Sequence, residues 1–427
     1  NVWLTKTAPV HIAQWGTFVT TPEVTAGNAA VTLKVTVDNN AKANVNVSVA
    51  TQIFALDANG QRTGAAVASI AAINTPVAAG KSASVDTRTS LANPKLWSPK
   101  TPNRYVAVTT VTQNGAVVDS YETLFGIRTF KYDPNAGLFV NGEHVKLNGV
   151  CDHHDLGALG TAINFRALQR QVEMLKDMGC NAIRTSHNPP APELLDLADR
   201  YGMLVLDESF DTWGSTKRAN DYGGANLFNL WHEQDQRALV RRDRNHPSVF
   251  AWSIGNEIAE QSQGANSAIA KELAAIVHSE DPTRPVTAAC NGAEAARNGF
   301  STLLDAMGFN YKPDNYISFH QSYPTQFFFD LMFRWPKAGY YMISVNASSE
   351  FPTGARPRFG LAFSPNAPLT AMSPNNPGNA TRWTVLLKVP ADQATSAMVG
   401  YGFFPSKPAN IGGFIQAYVG KVTVRQL

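Results

Sequence analysis

A regular alternation of strand-like and helix-like segments between about residues 131 and 326 is the feature that most constrains the fold. Strand-like runs such as MLVLDES and SVFAWSIGNE alternate with amphipathic runs such as FRALQRQVEMLKDMG, whose apolar residues recur every three or four positions. Strands that alternate with helices are typical of a parallel sheet built from βαβ units. We therefore predict an α/β region in the middle of the chain.

Polar side chains collect where these strand-like runs end. A barrel with its active site at the carboxyl ends of its strands predicts this distribution. A doubly wound open sheet would also bind ligands there, but no glycine-rich phosphate loop follows any predicted strand. The sequence therefore favours a (β/α)8 TIM-type barrel. The strand-end residues are His153, His154, Asp155, Arg184, Ser186, His187, Asp207, Glu208, Asn256, Glu257, Asn310 and Tyr311.

The predicted barrel is incomplete. Six strands are recognisable in about 195 residues, whereas a complete barrel usually needs about 250. Three explanations stay open at this point. The chain is a fragment or composite of a longer enzyme, it is a natural fusion that has lost catalysis, or further strands come from the segment after residue 327.

Two β-rich regions flank the barrel. Residues 1–130 contain strand-like runs of period two, separated by Gly, Asn and Pro turns, which predicts a β-sandwich. From residue 327 to 427 the helical period disappears, and strand-like runs again alternate with turn residues. This region is predicted to be a second β-sandwich of the jelly-roll kind.

Composition and charge exclude several functions. A net charge of +3 with 16% charged residues and no basic stripe gives no reason to expect a nucleic-acid partner. No apolar run approaches the 18 or so residues of a membrane helix. Cys151, Cys180 and Cys290 are expected to be buried thiols rather than disulfide or metal ligands. Low charge and the N-glycosylation sequons at Asn46, Asn346 and Asn379 favour an extracellular or periplasmic location.

Glu257 is the first candidate for chemistry. It follows Asn256 directly at the end of a strand-like run, so both residues are expected at the mouth of the barrel. A partly buried carboxyl group has a raised pKa and suits a general acid. Glycoside cleavage needs two such groups, about 5 Å apart in retaining enzymes. The alternative is that Glu257 only pairs with an Arg as part of the scaffold.

Other strand-end residues are candidates for binding. Arg184 would hold a nearby carboxylate ionised, while His153, His154 and His187 could bond to sugar hydroxyls. The same histidines could suggest zinc, but the H-E-x-x-H spacing or a comparable one is absent from the sequence. Flat faces for a sugar ring are offered by Trp213, Trp252 and Tyr311, although buried aromatic residues more often belong to a core.

Three long motifs make the comparison with a known family specific. NAIRTSHNPP, DRYGMLVLDES and RDRNHPSVFAWSIGNE resemble glycoside hydrolase family 2, in particular its β-galactosidases. LNGVCDHHDLGALG and MGFNY agree in order and approximate spacing, and LWSPKTPNRY resembles the immunoglobulin-like domain that precedes the family's barrel. The resemblance covers residues 1 to about 326. It implies an immunoglobulin-like sandwich followed by a TIM barrel.

The resemblance also implies roles for individual residues. Glu257 would be the acid/base, and Asn256 would bind the sugar 2-hydroxyl. Arg184 would neighbour the nucleophile. His153 or His154 and His187 would line the galactosyl subsite. Beside what the resemblance implies, Asp207, Trp213 and Tyr311 are further candidates for binding substrate.

The sequence departs from the family pattern in three ways. The family's jelly roll before the segment matching NVWL has no counterpart. Some members hold Mg²⁺ with a Glu and a His after the third strand, where this chain reads DESFDTWG, so no metal or cofactor is expected. The family's nucleophile is a Glu that ends the seventh strand. Met332 stands at that position, and neither Asp330 nor Glu350 is a convincing replacement, so the nucleophile is unknown.

Two hypotheses follow. The first is a retaining β-galactosidase that acts on terminal β-D-galactosides or oligosaccharides through Glu257. The second is a non-catalytic carbohydrate-binding protein derived from such an enzyme, with Trp383 and Tyr401 of the last region as stacking residues. A structural adhesin is a weaker third hypothesis because it ignores the barrel motifs. The sequence allows an oligomer but does not specify one.

Overall fold

The computed structural model describes residues 4–215, 217, 227–312 and 315–330, together with the backbone of six later strands between 339 and 426. For Asp330 and for those six strands, only the backbone is described. In the described parts of the chain, none of the helices is long and apolar enough to span a membrane.

The first region forms the predicted β-sandwich. One sheet has the strand order β1-β2-β5 and the other the order β4-β3-β6-β7, with all neighbours antiparallel. Apolar side chains at alternate positions, such as Val35 and Val37, face the core between the sheets. The strands are β1 Val10–Val24, β2 Asn28–Asn39, β3 Val45–Leu56, β4 Arg62–Val77, β5 Lys81–Ala92, β6 Tyr105–Gln113 and β7 Ala116–Phe125.

A small antiparallel sheet follows the sandwich. Its strands are β8 Phe130–Asp133, β9 Gly137–Val140 and β10 Glu143–Val145. Leu138 and Val140 of this sheet pack with apolar residues of the parallel strands, and the Tyr132 hydroxyl donates to the Phe250 carbonyl. This sheet therefore caps the amino-terminal end of the strands that follow.

Seven parallel strands form the central sheet, in sequential order. The strands are β11 Gly149–His153, β12 Ala182–Ser186, β13 Leu204–Glu208, β14 Val249–Asn256, β15 Val286–Cys290, β16 Ala306–Phe309 and β17 Phe327–Asp330. The helices between them are α1 Phe165–Asp177, α2 Pro192–Tyr201, α3 Leu227–Asp243, α4 Ala268–Glu280 and α5 Tyr316–Ser322. This is the TIM-type arrangement that the sequence predicted.

Two details of the prediction need correction. The sequence run HVKLNGV looks like a single strand, but it is divided between two, because β10 ends at Val145 and β11 begins only at Gly149. The seventh strand, Phe327–Asp330, was not recognised and lies just beyond the boundary expected at residue 326. A run of three Phe residues carries no period, so the pattern could not distinguish a barrel strand from a sandwich strand.

Residues of the parallel strands alternate between two environments. Ile183 and Val205 pack in the core shared with the helices. Ala182, Leu204 and Leu206 pack with residues of other strands inside the sheet's concave face. Because the period along a strand is two, Arg184 and Glu208 follow the second set and face the interior.

The cysteines agree only in part with the expectation. Cys180 and Cys290 are buried, and none of the three cysteines forms a disulfide. Cys151, however, is exposed. It lies on β11, which has a neighbouring strand on one side only within the described sheet. An edge position explains why this side chain is not covered.

The last region contains two antiparallel three-stranded sheets, with orders β21-β18-β23 and β20-β19-β22. Two sheets agree with a β-sandwich, and the jelly-roll topology stays a prediction. Met332, Glu350 and the sequon at Asn379 lie outside the described residues, and Trp383 and Tyr401 are described by backbone only. The strands are β18 Gly339–Ser348, β19 Pro357–Leu361, β20 Thr370–Met372, β21 Arg382–Val389, β22 Tyr401–Pro405 and β23 Tyr418–Gln426.

Candidate active site

A buried ion pair lies at the carboxyl-terminal end of the parallel strands. Nε and Nη2 of Arg184 on β12 donate to the two carboxylate oxygens of Glu208 on β13, at 2.8 to 3.0 Å. The two side chains are only 5% and 0% exposed. The Glu208 carboxylate also accepts a hydrogen bond from the Ser253 hydroxyl at 2.6 Å and lies 2.7 Å from Nδ1 of His187.

These contacts determine the charge of Glu208. Burial alone would raise the pKa of this carboxyl group, but Arg184, His187 and Ser253 outweigh burial and hold its pKa below the ordinary value. Glu208 is therefore an anion at neutral pH. With its oxygens occupied by protein donors, it holds Arg184 and His187 in place.

Asn256, at the end of β14, connects this ion pair to the mouth of the sheet. Its Oδ1 accepts hydrogen bonds from Arg184 Nη2 at 2.8 Å and from Asn310 Nδ2 at 3.0 Å. Its Nδ2 donates to Asp211 Oδ1 at 2.9 Å. Burial would raise the pKa of Asp211, but hydrogen bonds from Lys217 and Asn256 outweigh it and lower the pKa. The amide of Asn256 is therefore fixed from three directions.

Glu257 follows at once and joins the same cluster. Its Oε1 accepts from Asn310 Nδ2 at 2.8 Å and its Oε2 from Asn291 Nδ2 at 3.1 Å. Successive residues of a strand normally point to opposite sides, but Glu257 has a φ of 48°. This left-handed conformation turns the chain, so that the amide of Asn256 and the carboxylate of Glu257 lie on the same side.

Tyr311 lies beside this acid. Its side chain is 56% exposed. Burial of the hydroxyl, the charge of Glu257 and a hydrogen bond to it raise the pKa of Tyr311. Of the aromatic residues that the sequence suggested for sugar contact, Tyr311 is thus placed at the mouth, next to the acid.

The three candidate histidines separate into two groups. His153 and His187 meet edge to face, with ring centroids 5.0 Å apart. Burial lowers the pKa of His153, and the neighbouring His187 and Arg184 lower it further, so His153 is neutral near pH 7. His154 lies apart, with its Nε2 3.3 Å from the Thr161 carbonyl oxygen. The structure therefore brings His153, and not His154, to the cluster.

Two predicted sugar-binding residues lie away from the cluster. Asp207 is 0% exposed, accepts from the Thr185 hydroxyl, and has its pKa raised well above the usual range by burial and by Asp243. It faces the helices because it alternates with Glu208 along β13. Trp213 is 0% exposed, and its indole N–H donates to the Ile254 carbonyl at 2.7 Å. Neither side chain can contact a sugar, which corrects both expectations.

Several residues of the cluster received no role from the sequence. Glu208 and Asn310 were recognised as strand-end residues only, and Asn291, Asp211 and Ser253 were not recognised at all. The alternation along β13 carries a signal that selects Glu208 over Asp207, because Leu204 and Leu206 share its side of the strand. Asn291 and Asp211 lie in loops, where the sequence shows no period.

Family models match both the first sandwich and the parallel sheet with its helices. The model described as "Glycosyl hydrolases family 2, TIM barrel domain" matches residues 134–324, and the model "Glycosyl hydrolases family 2" matches residues 10–128. The chain belongs to glycosyl hydrolase family 2. The resemblance inferred from the sequence motifs is confirmed.

Curated relatives of this family-2 chain are named either beta-galactosidase or beta-glucuronidase. Beta-galactosidase BoGH2A of Bacteroides ovatus is 41% identical in an alignment of 387 positions that covers 79% of this chain and 44% of that protein. Beta-glucuronidase of Homo sapiens is 34% identical over 218 residues, 51% of this chain and 32% of that protein. The chain thus spans less than half the length of these relatives.

Two solved structures resemble this fold over three quarters or more of the chain. A family-2 member from Bacteroides cellulosilyticus has a TM-score of 0.71 at 26% identity, covering 97% of this chain and 64% of that one. A beta-glycosidase from Bacteroides vulgatus has a TM-score of 0.63 at 34% identity, covering 75% of this chain and 38% of that one.

The Mg²⁺ site of some family-2 members does not fit this chain. Trp213 stands where the ligating His would be, and its buried indole N–H is committed to the Ile254 carbonyl. An indole offers no lone pair for a metal. Among the described residues, His, Cys, Asp and Glu side chains form no group of three that could hold a metal ion.

The expected nucleophile position falls at the end of β17. Phe327 and Phe329 of this strand pack in the interior cluster, whereas Phe328 packs against the helix-side core. The backbone of Asp330 pairs with Phe309 of β16. Among side chains that the structure describes, the carboxylates of the cluster are Glu208, Asp211 and Glu257.

Proposed function

We propose that the protein hydrolyses terminal β-D-galactosides with retention of configuration, with Glu257 as acid/base. The observation that carries this proposal is that Asn256, which accepts a hydrogen bond from the buried Arg184, and Glu257 both accept from the Asn310 amide. As in the relative named beta-galactosidase, the substrate would be a galactoside. The resemblance of the motifs to the β-galactosidases of the family supports the same substrate.

The proposed chemistry assigns a proton transfer to Glu257 in each of two steps. In the first step its carboxyl group would protonate the glycosidic oxygen, while a second carboxylate bonds to the anomeric carbon and the glycosidic bond breaks. In the second step the Glu257 carboxylate would take a proton from water, whose oxygen bonds to the anomeric carbon as the bond to the second carboxylate breaks. Two amide donors, from Asn310 and Asn291, hold the carboxyl group in one orientation for both steps.

A second carboxylate is needed for retention, and Glu208 does not suit this role. Its oxygens already accept hydrogen bonds from Arg184 and Ser253 and contact His187, and it is fully buried. A nucleophile must be free to reach the anomeric carbon. We therefore give Glu208 a positioning role and leave the nucleophile unassigned.

The decisive experiment compares substrates that need the acid to different degrees. The full chain is assayed with lactose, with nitrophenyl β-galactoside and with nitrophenyl β-glucuronide. Glu257→Gln should lower kcat/KM for lactose by about 10²–10⁴-fold, the usual contribution of a general acid. The loss should be smaller for the nitrophenyl galactoside, whose leaving group needs less protonation.

A matched control and two contrary outcomes accompany this assay. Glu272→Gln on α4, whose carboxylate is half exposed beside His232, should leave the rates unchanged. Full activity of Glu257→Gln on lactose would overturn the role of the acid. Preferred cleavage of the glucuronide would overturn the choice of substrate.

The rival function is carbohydrate binding without catalysis. It is favoured by the missing Glu at the position where the family places its nucleophile. Calorimetry with galactose separates the two functions, because binding without turnover of any of the three substrates supports the rival. For the same rival, Trp383→Ala and Tyr401→Ala should weaken glycan binding by the last region.

The location is a further part of this proposal. We infer an extracellular or periplasmic protein from the low charge and the three sequons. Asn46 lies on the exposed face of β3, where a glycan could be attached. Expression of the natural gene followed by cell fractionation tests this, and recovery only in the cytoplasm would contradict it.

A further inference from the structure

An enlarged β-bulge in the first sandwich carries a Trp side chain towards the barrel. On β1, Ile12 pairs with Val37 and Thr17 pairs with Val35, so residues 13–16 lie opposite a single residue of β2. Such bulges bend a strand and redirect a side chain. Trp15 has a φ of 52°, which is uncommon for a bulky residue.

The residue after Trp15 shows how tightly this bulge is built. A Cβ atom at Gly16 would lie 2.7 Å from the Ala13 carbonyl oxygen and 2.9 Å from that of Thr36. Glycine is therefore required there. On the barrel side, Nη2 of Arg244, the residue after the end of α3, donates to the carbonyl oxygen of Trp15 at 3.4 Å and holds the bulge in place. A strained aromatic residue held in this way suggests a function beyond the sandwich itself.

Trp15 lines a cavity that reaches the candidate active site. The cavity has a volume of about 490 Å³ and is lined by Trp15, His187, Asn188, Asp211 and Arg242, among others. His187 contacts the buried Glu208, and Asp211 accepts a hydrogen bond from Asn256, the residue next to Glu257. Cavities of a few hundred Å³ are the usual size for small-molecule sites.

The cavity continues into a larger groove between the sandwich and the barrel. The groove has a volume of about 1220 Å³ and shares Trp15, Asn188 and Arg242 with the cavity. Its walls include Gln14 and Tyr121 of the sandwich. We call the cavity and the groove together the interdomain cleft. The cleft starts at the cluster, passes Trp15, and opens along the first domain.

The charges along the cleft favour a neutral ligand. Arg242 pairs with Asp243 at 2.7 Å, and Asp211 pairs with Lys217 at 2.7 Å. Uronate or sulfate groups need an excess of Arg or Lys. Among the described lining residues the balance is the reverse, with the acids Asp119, Glu193, Asp211 and Asp235 against the bases Lys6 and Arg242.

We propose that the interdomain cleft binds the leaving-group part of a neutral oligosaccharide, with the Trp15 ring as the stacking surface for one of its sugars. This rests on the proposed function, which places the terminal galactosyl unit at the cluster. A terminal unit has a single neighbouring sugar, so the rest of the glycan must extend away from the cluster. A flat aromatic face can pack against the apolar C–H face of a neutral sugar, and amide groups such as those of Asn188 and Gln14 can hydrogen-bond to its hydroxyl groups.

The test measures binding and does not depend on turnover. All variants are made on the full chain carrying Glu257→Gln, and calorimetry compares galactose with a neutral, galactose-terminated tetrasaccharide. Trp15→Ala should weaken tetrasaccharide binding about tenfold or more and leave galactose binding within twofold. Trp15→Phe, which keeps an aromatic face, should recover part of the affinity. Trp231→Ala removes a Trp of α3 that is 47% exposed and should change neither value.

Three results would contradict this role of the cleft. The first is a tetrasaccharide affinity of Trp15→Ala equal to that of its parent, and the second is an equal loss of affinity for the tetrasaccharide and for galactose. The third is tighter binding of a sulfated tetrasaccharide than of the neutral one. A matching circular dichroism spectrum for Trp15→Ala excludes loss of the fold, and Trp15→Phe gives an independent reading. Failure of the proposed function is a different result, because it appears as no turnover of any galactoside by the chain with Glu257 intact.

Discussion

Replacing Glu208 with glutamine removes the negative charge at the centre of the site while it keeps the shape of the side chain. The guanidinium group of Arg184, which is 5% exposed, then loses its counter-charge. Breaking a buried ion pair by removing one partner costs about 3–5 kcal/mol, because the remaining charge is buried without compensation. We expect Glu208→Gln to lower the free energy of unfolding of the barrel by about that amount at pH 7.

The neighbouring carboxyl group provides a matched control. Burial and then Asp243 raise the pKa of Asp207 well above the usual range, which favours the neutral form of this carboxyl group. In Asp207→Asn an amide replaces a neutral acid. The expected change in the free energy of unfolding is within about 1 kcal/mol, since no buried charge loses its partner. Two adjacent residues of one strand should therefore respond very differently.

Urea unfolding, followed by tryptophan fluorescence, measures these free energies. Arg184→Met removes the buried charge that Glu208→Gln leaves without a partner. The free energy of unfolding lost in the double variant Arg184→Met/Glu208→Gln should therefore be about 2 kcal/mol less than the sum of the losses in the two single variants. The pH dependence gives a second check. Because the pKa of folded Glu208 is lowered, its contribution is present above the unfolded value of about 4.3 and is lost as the pH falls through the folded value.

Three results would refute the reasoning. The first is a Glu208→Gln variant within about 1 kcal/mol of the parent at pH 7, well below the cost of a broken buried pair. The second is an equal loss in Asp207→Asn. The third is a difference between parent and Glu208→Gln that does not shrink as the pH falls below about 4.3, where the unfolded chain binds the proton that folded Glu208 still excludes.

Three further predictions test other parts of the fold. Gly202→Ala should lower the free energy of unfolding by more than about 1 kcal/mol, because φ is +68° and the new Cβ would lie 2.5 Å from the Pro99 carbonyl oxygen. Gly60 has open space around it, so Gly60→Ala should lower the free energy of unfolding by less. Burial alone would lower the pKa of His246, but Asp199 raises it to about 9. The loss of stability in His246→Gln should therefore be largest below about pH 6.5, the unfolded value, and should disappear as the pH rises through 9. Cys151 should react with a maleimide in the folded chain, whereas the buried Cys180 and Cys290 should react only after unfolding. Labelling of all three cysteines at one rate would contradict the described burial.

Much of this architecture follows from pattern alone. The alternation of strands and helices, and the polar residues at the strand ends, placed Arg184, His187, Asn256 and Glu257 at one end of a parallel sheet, and the structure brings them together. The reason is geometric, since the carboxyl ends of neighbouring parallel strands must meet. The long-range neighbours then follow from the order of the strands.

Strand-end position does not specify which side of the strand a residue faces, and the prediction for Asp207 failed for this reason. Asp207 faces the helices, and Glu208 faces the cluster, although both end the same strand. Trp213 was suggested as a sugar platform because it is aromatic and near the site, but its burial supports the end of β14 instead. The prominent position of Trp15 could not be predicted at all, because it depends on a bulge and on contacts between two domains.

The backbone at Glu257 has a consequence for how this position can change. A left-handed conformation costs an ordinary residue about 1–2 kcal/mol, and Gly or Asn would occupy it more easily. Stability alone would thus favour losing the carboxylate. A chain selected only to remain folded, or only to bind sugar through its other groups, would drift away from Glu at this site. Retention of Glu at this strained position is what the proposed acid/base role of Glu257 predicts.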